Sequence, residues 1–145
     1  MSDYAEAKTW INLAERDYAV ATHLNEVFIP LPVEIICFHS QQSVEKALKA
    51  VLAYYEDKVP KTHDITNLQT LCKVHTDKIY IDNEIAETIT DFAVITRYVE
   101  DRRDFTEDTA KFALKQANQV LEMVKQFLEK SEAEKEAQEK EETTE

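Results

Sequence analysis

The chain contains no glycine in 145 residues. Glycine is the residue that serves tight hairpins, β-bulges and backbone segments that must approach a phosphate closely, because it alone reaches positive φ without a steric cost. A fold made of helices joined by short links manages without it. The same absence argues against a P-loop, a dinucleotide-binding turn and a glycine-flanked nucleophile elbow, each of which needs glycine at a crowded position. At this length one compact domain is the default, large enough to bury a core without disulfides or metals.

Charge narrows the partners. The formal net is −12, and residues 131–145 carry seven glutamates against two lysines, so −7 remains on the rest. Such a field repels a phosphate backbone and excludes an extended nucleic-acid-coating surface, while leaving room for a local basic patch. Cys37 and Cys72 stand far apart with no Cys-x-x-Cys or histidine spacing beside them, which predicts two buried thiols in a reducing compartment and no metal site. The N-terminus is polar and no apolar run reaches membrane-spanning length, so the expectation is a cytoplasmic protein.

Helical periodicity recurs along most of the chain. A first helix is predicted from about Tyr4 to Asn25, with Trp10, Leu13, Ala14, Val20, Ala21 and Leu24 on one side and Asp17 in their midst. A carboxylate on an apolar face needs a cation or several donors from another helix. Phe28-Ile29-Pro30-Leu31-Pro32 breaks the pattern, and a second helix starts near Pro32 or Val33. Its core arc holds Ile36, Cys37, Val44, Ala47, Leu48, Val51 and Tyr55. The opposite arc holds His39, Gln42, Glu45, Lys46 and Lys49 together with Ile35 and Phe38, an unusual mixture for a solvated face and therefore a candidate contact surface.

Thr62 is the expected N-cap of a short third helix bearing Ile65, Leu68, Leu71 and Cys72, and residues 75–81 form a connection. Asp82 caps a fourth helix with Ile85, Ile89, Phe92, Ile95 and Val99 on one face; Arg97 lies at its flank, where projection suggests an ion pair with Asp17. Thr106 caps the longest helix, whose apolar stripe runs from Ala110 to Leu128. The expected fold is all-α, an up-and-down antiparallel bundle of four long helices plus one short one over residues 1–130, with 131–145 an acidic, frayed tail.

Three phrases resemble the HEPN domain family: His39-Ser40-Gln41-Gln42-Ser43-Val44-Glu45-Lys46-Ala47-Leu48-Lys49-Ala50, then Pro60-x-Thr62-His63-Asp64-Ile65, then Arg97-Tyr98. The Trp10 to Asp17 stretch is similar to that family's first helix, so the resemblance covers residues from about 7 to 128. It implies a helical bundle that dimerises, a partner of the nucleotidyltransferase type, and either nucleotide binding or metal-independent RNA cleavage. On this reading His39, Gln42, Lys46, Lys49, His63, Arg97 and Tyr98 are the candidate nucleotide- or partner-contacting residues, and no cofactor is expected.

The cleaving members resemble one another in an arginine followed, four to six residues later, by a histidine near the fourth helix, where phosphate charge is stabilised and protons are handled. Counting from Arg97, the corresponding positions hold Arg102, Arg103 and Asp104. Val99 also stands where many relatives have proline. Arg16 and His23 match the spacing on the first helix, where chance accounts for the match. The expected function is therefore a non-catalytic, dimeric interaction module, with a ribonuclease of the toxin type using a noncanonical pair (Arg16 with His23, or Arg97 with His63) as the alternative. His63 itself reads either as part of a capping turn or as a contact for phosphate at a helix N-terminus.

Overall fold

The computed structural model describes residues 2–95 and 105–144, among which five helices and no strand are found: α1 (Tyr4–Val27), α2 (Val33–Tyr54), α3 (Ile65–Lys73), α4 (Asn83–Ile95) and α5 (Glu107–Thr144). Arg97, Tyr98, Val99, Arg102, Arg103 and Asp104 lie outside the described residues. The long helices alternate in direction. Asp3 N donates to Tyr54 O (2.9 Å) and Ser43 Oγ to Ala14 O (2.8 Å), which sets α2 antiparallel to α1. Cys37 Sγ lies 3.9 Å from Thr109 O while the Tyr54 hydroxyl donates to Glu132 (3.1 Å), so α5 runs parallel to α2.

The central element is α2, packed by α1 and α5 and, more lightly, by α3 and α4. Its closest approach to α1 rests on small residues. Ala7, Ala14 and Ala21 recur at heptad spacing on α1 and are fully buried, and Ser43, with no larger side chain to hold the backbones apart, reaches the Ala14 carbonyl. The apolar stripe of α1 is accordingly centred on Ala7, Ile11, Ala14 and Ala21. Trp10, Leu13 and Leu24 are only half-buried at its edge and Val20 is exposed. The projection over-weighted large side chains, whereas close helix packing selects small ones.

Two core clusters result. The larger joins α1, α2, α3, α4 and α5 around Leu48, Val51, Leu52, Ile65, Leu68 and Val124; the smaller, at the end where α1 finishes and α2 and α5 begin, holds Ala21, Val33, Ile36, Cys37, Phe92, Ala110 and Ala113. The connection after α3 contributes to the first through Ile79 and Ile81, both buried. Buried Gln69 fixes it by donating to Ile81 O (2.7 Å) and accepting from Ile81 N.

Caps follow side-chain chemistry with one shift from expectation. Asp64, not Thr62, is the N-cap of α3, accepting from Thr66 N and Asn67 N, while Thr62 Oγ1 accepts from Asp64 N to shape the turn before it. Asp82 accepts from Glu84 N and Ile85 N, and Thr106 from Thr109 N, as the caps of α4 and α5. Past Lys130 most side chains of α5 are exposed, yet the helix continues to Thr144. Its first extra turns are fastened by the Tyr54–Glu132 bond and by Lys135 Nζ donating to Ser2 Oγ (2.8 Å). No helix among the described residues is long and apolar enough to cross a membrane.

Candidate functional site

The polar residues of α2 converge with α1 and the link before α3 into two carboxylate centres. Asp17 projects from α1, where its residue is 9% exposed. His39 Nδ1 lies 3.0 Å from its Oδ1 and Lys46 Nζ 2.5 Å from its Oδ2. Both donors come from α2, one turn of helix to either side of Ser43, so the helix spacing alone aims them at one carboxylate. Both oxygens of Asp17 thus have partners among the described residues, and Arg97, the partner suggested by projection, lies outside them.

Glu45 is the second centre. Its Oε2 meets Lys49 Nζ at 3.0 Å and its Oε1 lies 2.7 Å from His63 Nδ1 and 3.2 Å from Gln41 Nε2. Gln41, fully buried, also donates to His63 O (3.2 Å) and accepts from Gln42 Nε2 (2.6 Å). The side chains of Glu45 and Lys49 are 4% and 8% exposed, and Lys49 Nζ sits 5.7 Å from the centre of the Trp10 ring. This corrects the expectation that both belong to the outer arc of the helix. Trp10 of α1 and the loop carrying His63 close over that half of the arc, and the pair is an internal one.

The arrangement is electrically balanced, with each carboxylate holding one lysine and one histidine. A lysine bound this way has its charge compensated inside the protein and offers little to an incoming phosphate. His63 is largely exposed and has one ring nitrogen bonded among the described residues. It stands just before the Asp64 cap of α3, outside the helix, where its contacts with Glu45 and Gln41 hold it. What remains open to solvent is the crease along α2 where Ile35 is exposed and Phe38, His39, Gln42 and Lys46 are half-buried, with Val20 and Leu13 of α1 at its edge. His39, Gln42 and Lys46 thus share this crease, Lys49 lies beneath its far end and His63 at its rim; Arg97 and Tyr98 are outside the described residues. Arg16 and His23 are exposed on the other flank of α1, turned away from Asp17.

Gln41 and Glu45 were not singled out as site residues by sequence reasoning, although their i, i+4 spacing with one another and with Lys49 was visible; what was not visible is the burial that makes them a hub. The larger clefts lie elsewhere, one of about 420 Å³ between Asp3, Glu6, Trp10, Ala53, Glu56, Asp57 and Val59, another of about 370 Å³ between Ser2, Tyr54, Tyr55, Ser131, Glu134, Lys135 and Gln138. Among the described residues no three His, Cys, Asp or Glu side chains converge as a metal ion would require. Cys37 and Cys72 are buried apart from the crease, and burial, reinforced by Glu34 and Asp57 respectively, pushes each thiol up to about 12. Neither is poised as a nucleophile.

Comparison with known proteins places these features in context. The HEPN domain family matches residues 7–127. Among solved structures the chain is similar to TT1696 from Thermus thermophilus, with a TM-score of 0.68 and 22% identity over 83% of this chain and 97% of that one, a likeness of fold. It is similar also to ST0689, described as an archaeal HEPN homologue, with a TM-score of 0.66 and 26% identity over 85% of this chain and 98% of that one. No curated protein matches it.

Proposed function

The chain belongs to the HEPN domain family, and from that premise we propose that it is a non-catalytic interaction module of the cytoplasm that dimerises through the crease on α2 and docks a nucleotidyltransferase-like protein. The observation that carries this reading is the commitment of both candidate lysines to internal carboxylates, Lys46 to Asp17 and Lys49 to Glu45. RNA transesterification needs uncompensated positive charge at the phosphate and a histidine free to exchange protons beside it. Here the charges cancel in pairs, and apolar side chains border the polar ones as they do in protein interfaces. A nucleotide bound at the crease would take hydrogen bonds from His39, Gln42 and His63 more than charge from the lysines. The division into a bundle at 1–130 and an acidic appendage at 131–145 belongs to the same proposal, with Glu132 and Lys135 as the fastening between them.

Incubation of the purified full chain with single-stranded and structured RNA tests it. The RNA should stay intact, and the chain isolated from its native host should bring a protein partner with it. Cleavage that disappears in His63→Ala or His23→Ala would contradict the proposal and establish the ribonuclease reading instead.

A further inference from the structure

A smaller groove of about 150 Å³ runs between the first half of α1 and residues 125–129 of α5. Ile11 and Leu128, both buried, form its floor, and Tyr4 is half-buried beside them. At one end Lys125 Nζ meets Glu15 at 3.7 Å. At the other stands Tyr4, with Lys8 Nζ 4.8 Å from its ring centre. Lys8, Ile11 and Asn12 fall within about one turn of α1, so the opening between the two ends is only about 6 Å long.

The charged groups of the rim are not all paired. Lys125 is held by Glu15 and Glu122. Lys8 has no carboxylate, and its one contact among the described residues is the Tyr4 ring. Glu129 on α5 and the Asn12 amide on α1 are exposed and have no side-chain partner among the described residues. Because α1 and α5 run antiparallel, Glu129 lies on the Lys8 side of the Glu15–Lys125 pair. A cation, an anion and an amide thus stand around an apolar floor with room for one aliphatic side chain, and a few convergent polar groups over an apolar surface are what a small-molecule site requires. The groove lies about 27 Å along α5 from its first residue, farther than the nine residues 96–104, tied at both ends, can reach. A ligand that satisfies all three rim groups carries a carboxylate and an ammonium close together and an aliphatic body beside them. A peptide holds those two charges at opposite ends, so a free α-amino acid is what fits the short opening.

We infer that this groove binds a free α-amino acid with an aliphatic side chain. Lys8 and the Asn12 amide take its carboxylate, Glu129 its ammonium, and Ile11, Leu128 and Tyr4 its side chain. The site is separate from the crease on α2 and independent of what docks there. NMR titration of the full chain with leucine tests it, beside glycine, which has the charges without the body, and N-acetylleucinamide, which has the body without the charges. Leucine should bind saturably with a Kd of about 1 mM or below, shifting the backbone amides of residues 8–12 and 125–129. Both comparison compounds should bind at least tenfold more weakly. Lys8→Met should weaken leucine binding at least tenfold and Glu129→Gln severalfold; both side chains are exposed, so both variants should fold. The absence of a saturable shift up to about 20 mM leucine overturns the inference. Equal binding of N-acetylleucinamide overturns it too, by making the groove a seat for an apolar side chain of a protein partner. A double-variant cycle in urea unfolding that finds Lys8 and Glu129 already coupled in the ligand-free chain does the same, since charges that neutralise each other have none to offer a ligand.

Discussion

Lys49 and Glu45 are one helical turn apart, a spacing worth a few tenths of a kcal/mol on an exposed helix. Their burial changes the magnitude. Removing one member of a buried ion pair leaves the other charged and desolvated, so Lys49→Ala should cost about 3 kcal/mol in urea unfolding. Lys111→Ala, at an exposed pair of the same spacing, should change stability by less than about 0.5 kcal/mol. Replacing both Glu45 and Lys49 with leucine and methionine should recover most of the loss; a Lys49→Ala cost near that of Lys111→Ala would contradict the buried hub. The two thiols provide a pH test. Both are held near 12 against an ordinary value of 9.0 because burial disfavours the thiolate. The unfolded chain therefore loses these protons first, so the stability they confer is complete below pH 9 and is lost as pH rises towards 12. Native protein should resist alkylation at about pH 8, and its unfolding midpoint should fall across that alkaline window. The pairing at residues 45 and 49 was legible in the sequence; its burial was not, because Trp10 and His63, which cover it, are distant along the chain.

Helix ends show where the absence of glycine is felt. The last turn of α2 closes with Glu56 N donating to Ala53 O and Asp57 N to Leu52 O, the two bonds of a Schellman motif, with Glu56 at φ 61°. Glycine normally occupies that position because a side chain there crowds the backbone. Glu56→Gly should therefore stabilise the protein by about 1 kcal/mol, once relief of that crowding is set against the greater freedom of glycine in the unfolded chain. The gain corresponds to roughly 3 °C in melting temperature; a lower melting temperature would show that the Glu56 side chain contributes something the turn itself does not. The starts of α2 and α4 were legible from Pro32 and Asp82, whose chemistry is local. The start of α3 moved from Thr62 to Asp64 because adjacent capping residues compete and only tertiary contact chooses, here the bonds from Gln41 and Glu45 that fix His63. Residues 75–81 read as a plain connection, and the buried role of Ile79 and Ile81 within it is signalled only by their alternation about exposed Tyr80.

At the scale of the molecule, the up-and-down order follows from the short link 28–32 between α1 and α2 and from α2 being buried around most of its circumference. The crease is the arc that α1, α3 and α5 leave open. Its composition, half apolar and half compensated charge, suits a desolvated contact with protein better than a site for polyanion chemistry. What the sequence could not convey is how completely Asp17 and Glu45 absorb the lysines that looked available to a nucleotide, since that depends on α1 lying against α2 in one register. Dimerisation through this crease is the account's central claim, and sedimentation of the full chain at micromolar concentration, beside a Phe38→Ser, Gln42→Glu double variant, tests it most directly. The account predicts a dimer for the wild type and a folded monomer for the variant. A wild type that sediments as a monomer, or a variant that remains dimeric, would contradict it.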